Sequence, residues 1–387
     1  MSIATTSHFK KRPAKKTAAK GDNRTIRYAV VGLGHISQAA VLPAFAHTKN
    51  SELTALVSGD GTKLKALKKK YGVEKVYSYE EYSQCLADPE IDAVYIALPN
   101  DLHCEYALRA AAAGKHILCE KPLADTARDA ELMTSVAKHH GVLLMTAYRL
   151  HFEPGTLASL ELVRSGKIGE VRYFNSSFSY QLTDNENIRL DSARAGGPLL
   201  DIGIYCINAC RMLFGDEPTE VSAFFSRDQD PRFREVEKSA AVILRFPRGK
   251  LGAFTISFDA ASMSRAEVVG SKGSLVLEPA YEYEEGLKQV VTIDEKPETK
   301  KFPKTDQFAA EIEVFSNCIV NGREPEPSGE EGIADLRVID AIFESAATGR
   351  AVSLPSFKRR RHADSNRALR KPPTTTPRIV KATAPHN

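Results

Sequence analysis

Five short apolar runs, separated by segments of helical spacing, limit what this chain can fold into more than any other feature. They are IRYAVV (26–31), LTALV (53–57), AVYIAL (93–98), HIL (116–118) and VLLMT (142–146). Each is short and continuously apolar, which reads as a strand buried on both faces. Between them the apolar positions follow helical intervals. In 126–138, Ala130, Met133 and Ala137 fall at i, i+3 and i+7 and so share one face, with Asp125 just before them as the expected N-cap. Strand and helix alternate to about residue 147, which predicts an α/β fold opening on a doubly wound parallel sheet. Such sheets bind ligands at the carboxyl ends of their strands.

Beyond residue 150 the pattern changes. A helix is expected at 154–165. Long strand candidates then follow one another with few helices between: VRYFNSSFSY (171–180), AAVILRF (240–246), LGAFTISF (251–258) and GSLVLE (273–278). That succession predicts a large, open, mostly antiparallel sheet in a second α/β domain. The stretch 329–350 reads as a closing helix ended by Gly349. A chain of 387 residues suits two domains better than one core. The expected division is a basic disordered arm (1–24), a dinucleotide-binding domain (25–147), a substrate and oligomerisation domain (148–355) and a basic disordered tail (356–387).

The net charge of +4 conceals an asymmetry. Residues 1–24 hold seven Lys/Arg against one Asp, and residues 356–387 hold nine against one. The body between them is therefore acidic and would repel a phosphate backbone, which argues against a nucleic-acid partner. Both ends are poor in aromatics and dotted with Pro, Thr and Ala, so they read as solvated and dispensable for chemistry. No apolar run approaches the ~20 residues of a membrane span, and the basic N-terminus lacks the apolar stretch of a secretory signal. The six cysteines form no Cys-x-x-Cys pair and no metal-type spacing. They read as reduced thiols of a cytoplasmic protein that binds no metal.

Chemistry begins at the first strand, which runs into GLGHIS (32–37). A tight turn at Gly32 and a bare backbone at Gly34 let a pyrophosphate approach the N-terminus of the next helix. Ser37 stands where a third glycine is usual. The second strand ends LVSGDGTK (56–63). An acid there would accept from the ribose hydroxyls of NAD. Ser58 takes that place and Lys63 follows one turn later, which suits the 2′-phosphate of NADP. Asp60 complicates this, since it could be the acid shifted by two; its glycine neighbours should let it face solvent.

Two further stretches complete the candidate site. AGKHILCEKP (113–122) ends a buried strand by projecting Lys121, with Pro122 limiting backbone freedom beside it. In AGGPLLDIGIYCINACRM (195–212), Asp201 and Tyr205 lie four apart and share a face if helical. Taken alone, that pair reads as a capped helix. Together, GLGHIS, AGKHILCEKP and GGPLLDIGIY resemble the Gfo/Idh/MocA oxidoreductase family across about residues 25–355. AVYIALPNDLH, AYRLHFEP, the tyrosine at 205 and SGEEGIADLRVIDAI are similar to its glucose–fructose oxidoreductase branch.

The resemblance implies a Rossmann domain followed by an α/β domain whose open sheet pairs subunits into a homodimer or homotetramer. It implies an NADP-dependent enzyme acting on a sugar, with Lys121, Asp201 and Tyr205 as catalytic residues, Tyr205 replacing the family's usual histidine as the acid/base. An ammonium beside a phenol favours the phenolate, and Lys121 can also hold the substrate oxygen. Cofactor contacts are implied for Gly32, Gly34, His35, Ile36, Ser58, Lys63, Pro99, Asn100, His103, Glu120, Lys121 and Arg149. Asn100 reads equally as a helix cap, and His103 reads as a first-turn structural residue of its helix rather than as a base. Tyr148, Arg149 and His151 could line a sugar pocket or form a domain-linking salt bridge. Two enzymatic versions remain open, a dehydrogenase that releases reduced cofactor and a sugar/sugar oxidoreductase that keeps NADP bound. A catalytically silent sensor on the same fold is the reading from another class.

Overall fold

The computed structural model describes residues 24–227, 229–365 and 368–384. The arm expected at 1–24 lies, but for its last residue, outside them. Six strands, β1 (Ile26–Val31), β2 (Ser51–Val57), β3 (Lys75–Tyr77), β4 (Ala93–Ile96), β5 (His116–Glu120) and β6 (Leu144–Ala147), form one parallel sheet in the order β3-β2-β1-β4-β5-β6. This is the doubly wound order whose switch point lies between β1 and β4. Helix α1 (35–47) opens on a π-helical turn, Ser37–Val41, directly after the glycine turn. Gly32 sits there at φ +94°, and a Cβ on it would meet the Ala97 carbonyl oxygen at 2.4 Å. Only glycine suits that position.

Helix α2 (Gly61–Tyr71) is capped by Asp60, whose Oδ1 accepts from the backbone N–H of Thr62 (2.8 Å) and of Lys63 (3.1 Å). Helices α3 (Tyr82–Ala87), α4 (His103–Ala112) and α5 (Ala127–His139) continue the alternation. Helix α5 buries Ala130, Met133 and Ala137 as its spacing predicts, but its cap is Thr126, one residue past the expected Asp125. The threonine hydroxyl reaches the N–H of Asp129 at 3.2 Å.

The second sheet has nine strands. They are β7 (Val171–Gln181), β8 (Glu220–Ser226), β9 (Ser239–Arg245), β10 (Leu251–Ser257), β11 (Asp259–Gly270), β12 (Gly273–Glu278), β13 (Leu287–Ile293), β14 (Lys296–Phe302) and β15 (Val352–Ser353). All neighbours are antiparallel except β7 and β10. One face packs on α6 (Pro154–Arg164), α7 (Ile204–Phe214) and α9 (Gly329–Thr348). The other leaves Phe224, Ile243, Tyr173 and Leu251 exposed. Helix α8 (Gln307–Asn321) returns to the first sheet, where Ser316 Oγ lies 2.7 Å from both Tyr28 Oη and Ser51 Oγ. The two domains thus share chain segments as well as a border.

The C-terminal tail departs from the sequence reading. Residues 356–365 and 368–384 have almost no regular secondary structure, yet they run along the body as a strap. Arg359 is buried between Glu217 (2.6 Å) and Glu331, beside the wholly buried Arg211, which itself pairs with Glu217, Glu331 and Asp335. Further along, Lys371 meets Glu313 at 2.5 Å and Thr374 donates to Asp306 at 2.5 Å. Arg359, Arg360, Lys371 and Lys381, among the cations that suggested a solvated end, pair with carboxylates of the acidic body. Removing one member of a buried ion pair leaves the rest uncompensated, so Arg359→Ala should cost about 3 kcal/mol or more. A solvated residue would change urea-unfolding stability by under ~0.5 kcal/mol, and unfolding curves of the two chains separate these outcomes.

Candidate active site

A cleft of about 540 Å³ lies between the carboxyl ends of the first sheet and the helix-covered face of the second. Lys121 enters it from the tip of β5, next to a cis Lys121–Pro122 bond. Asp201 enters from the other domain, on a π-helical turn (Leu199–Gly203) that runs into α7. Lys121 Nζ donates to the Asp201 backbone oxygen at 2.8 Å and lies 3.4 Å from its Oδ1. Tyr205, one turn along, places its ring centre 4.9 Å from that ammonium. The three candidate catalytic residues therefore meet across the domain border.

Two residues that the sequence reading overlooked hold Asp201 in place. Arg189 Nε and Tyr180 Oη both donate to Oδ2, each at 2.9 Å. Burial pushes the Asp201 carboxyl upward. The Arg189 charge, then that of Lys121, and the hydrogen bonds from Tyr180 and Arg189 overcome this and hold it well below the usual carboxylate range. Arg189 lies in an irregular segment before the GGPLLD motif, where no periodicity marks it. Its position was legible only from the fold.

On the floor of the cleft, buried Glu120 accepts from Tyr95 Oη at 2.9 Å, and Glu311 lies on the far side of that hydroxyl at 3.3 Å. Burial raises both carboxyls above their usual range. Arg149 is also buried. It donates to Gln307 at 2.7 Å and to the Tyr281 carbonyl, and its Cζ stands 5.0 Å from the Tyr205 ring centre. Tyr205 thus sits between two cations.

Gly32, Gly34, His35, Ile36, Ser58, Lys63, Pro99, Asn100, Glu120, Lys121 and Arg149, all expected around a dinucleotide, line this cleft. Asn100 is not a helix cap; its amide donates to the Ala195 carbonyl at 2.8 Å. His103 does not line the cleft. It is fully buried, its ring nitrogens 2.8 and 2.9 Å from the carbonyls of Pro122 and Leu98, so it braces the loop behind Lys121. Tyr148 and His151 are likewise buried away from the pocket. His151 sits between Glu326 and Asn208, each at 2.9 Å, and Tyr148 stacks on it. Of that trio only Arg149 reaches the cleft. Among the described residues no group of His, Cys, Asp and Glu could hold a metal, and no helix is long and apolar enough to cross a membrane.

The glycine turn fits a nucleotide. A Cβ built on Gly34 meets no atom within 4 Å, because the backbone there faces open cleft. At the end of β2, Ser58 and Lys63 line the pocket, whereas Asp60 does not: it caps α2 through Oδ1 with its side chain partly exposed to solvent.

This architecture is that of an oxidoreductase with a dinucleotide-binding domain and a separate substrate domain. The family model described as "Oxidoreductase family, NAD-binding Rossmann fold" matches residues 26–148, and that of the GFO/IDH/MocA C-terminal domain matches 147–276. The chain belongs to the Gfo/Idh/MocA oxidoreductase family. It is 33% identical to a D-xylose 1-dehydrogenase (NADP(+)) of Haloferax volcanii over 84% of this chain and 99% of the relative. Among solved structures it is similar to the aldose-aldose oxidoreductase of Caulobacter crescentus, at 39% identity and a TM-score of 0.83, covering 86% of this chain and all of the other. A 3-ketoreductase of Actinomadura kijaniata, solved with NADP and TDP-benzene, matches at 29% identity and a TM-score of 0.76, over 83% of this chain and 98% of that one.

Because Arg189 supplies the main charge that keeps Asp201 ionised, its loss should raise that carboxyl's pKa. Arg189→Met should therefore move the acidic limb of the kcat/KM profile to higher pH. In the parent chain the ionised state of Asp201 is complete above ~pH 5, since even an ordinary carboxyl titrates near 4. Its stabilising effect is lost progressively as pH falls below that range toward the lowered native value. An unmoved acidic limb in the variant would show that Asp201 does not depend on Arg189.

Proposed function

We propose that this chain is an NADP-dependent sugar oxidoreductase that converts an aldose C1 hydroxyl to a lactone, with Lys121, Asp201 and Tyr205 as its catalytic residues. The observation that carries this reading is the placement of Tyr205 between Lys121 and Arg149, in the cleft that the glycine turn opens. When bound, NADP supplies the hydride acceptor. As the phenolate, Tyr205 Oη takes the hydroxyl proton and becomes the phenol as the C1–H leaves as hydride and the C=O bond forms. Lys121 has three N–H donors; two are directed at Asp201, and the third is available to the substrate oxygen. Asp201, fixed by Arg189 and Tyr180, sets where that donor points. The relatives that act on xylose and other aldoses support a sugar substrate. Possession of all three polar residues in one cleft disfavours a silent sensor.

A second version has one sugar reduced by the hydride taken from another, with NADP retained throughout. The likeness to the aldose-aldose oxidoreductase favours it, as does a strap that reaches the nucleotide end of the cleft. Turnover of an aldose with free NADP, followed by reduced-nicotinamide absorbance, distinguishes the two. The dehydrogenase accumulates NADPH, whereas the sugar/sugar enzyme yields lactone and alditol without it. The six free thiols fit a cytoplasmic setting. The exposed apolar face of the nine-stranded sheet fits pairing into a homodimer or homotetramer.

Tyr205→Phe should bind NADP normally and lose at least ~100-fold in turnover, the lower range for general acid–base catalysis. Near-normal turnover in the folded variant would remove Tyr205 from the role of base. Lys63→Ala should weaken NADP by roughly tenfold to a hundredfold, the equivalent of one charge-assisted hydrogen bond, and leave NAD almost unchanged. Equal losses for both nucleotides in a binding titration would contradict recognition of the 2′-phosphate at this position.

A further inference from the structure

The strap meets the cleft at the end of β2, where the ribose of a dinucleotide lies in this fold. Beyond its anchors at Lys371 and Thr374 the chain passes the start of α1. Gln38 receives it there. This side chain is wholly buried, and its amide is fully engaged: Oε1 accepts from Val380 N–H at 2.8 Å, while Nε2 donates to the carbonyls of Val380 and Leu33, each at 2.9 Å. Leu33 lies between the two glycines of the phosphate turn. One buried amide therefore ties the strap to that turn as a neighbouring strand would.

The next residue is Lys381, at φ +46°, a left-handed backbone that residues with a Cβ rarely adopt. Its Nζ lies 3.2 Å from Thr62 Oγ1 and 3.6 Å from Asp60 Oδ2. Ala382 and Thr383 then line the same cleft as Ser58 and Lys63. We infer that residues 380–383 form a wall of the nucleotide site and that Lys381 is a second cation for the ribose 2′-phosphate. The strap on this account sets both how long NADP stays and how far it is preferred over NAD.

Physical chemistry supports the assignment of Lys381. Asp60 already gives Oδ1 to two backbone donors of α2, and its contact with Lys381 is long and partly exposed. Such a pair contributes little. A phosphate brings more negative charge and three strong acceptor oxygens, so an ammonium at this lip gains a better partner when it arrives. Lys63 would approach the same group from the helix side, and Lys381 from the strap side. Nucleotide release would then require the Gln38–Val380 pairing to open.

The inference rests on the NADP reading above, and the test separates the two. The chain ended after Arg378 keeps the anchors at Arg359, Lys371 and Thr374, and Lys381→Ala alters the cation alone. Equilibrium titration with NADPH and with NADH, and displacement kinetics of bound NADPH, need no turnover. The truncated chain should release NADPH at least ~10-fold faster, and Lys381→Ala should weaken NADPH ~10-fold with NADH held within twofold, as loss of one charge-assisted contact requires. Release and affinity within twofold of the parent in both forms would overturn the inference while leaving NADP as cofactor. Equal weakening of NADPH and NADH by Lys381→Ala would overturn the phosphate contact. A parent chain that bound neither nucleotide would overturn the cofactor reading and this one with it.

Discussion

The contact between Lys121 and Asp201 is the constraint on which the rest of the site depends. One residue ends a parallel strand and the other begins a helix of the second domain, so their contact fixes the distance between the two halves of the cleft. It also decides charge. A buried carboxylate without cations would protonate and lose its hold on the ammonium, and Arg189 and Tyr180 prevent this. Tyr205 follows one turn later on the same helix. Its position between Lys121 and Arg149 is thus a consequence of a pairing between residues 80 positions apart in the sequence.

Much of this was legible in the sequence because it is local. Buried parallel strands are continuous apolar runs, and five of the six in the first sheet stood out. The strand missed there, Lys75–Tyr77, has three residues and no pattern to read. In the second sheet four of the nine strands stood out; Glu220–Ser226, Asp259–Gly270, Leu287–Ile293, Lys296–Phe302 and Val352–Ser353 did not, and Lys296–Phe302 offers no alternation because almost all of it is exposed. The Lys121, Asp201 and Tyr205 cluster came from motif resemblance as much as from spacing. What stayed hidden is non-local: Arg189, whose role exists only through a contact with Asp201, and His151, whose burial between Glu326 and Asn208 no neighbouring residue announces.

The tail shows the same limit from the opposite side. Composition reports a segment too poor in apolar residues to build a core of its own. It does not report that an acidic body offers the segment a surface of opposite charge. Arg359 and Lys371 are held by carboxylates that were counted, in the sequence, only as part of an acidic total.

The strap's contacts also differ in how they respond to the medium. Arg359, with its side chain 3% exposed, is sheltered from mobile ions, whereas Lys381, 59% exposed, is open to them. At physiological salt the Debye length is about 8 Å, and exposed pairs weaken as it shortens while buried ones scarcely change. The strap consequently has a root insensitive to ionic strength and, at its tip, one ammonium whose contacts weaken with it. Added salt would loosen the Lys381 ammonium beside the cleft and leave the buried, uncharged Gln38–Val380 pairing to hold the end in place.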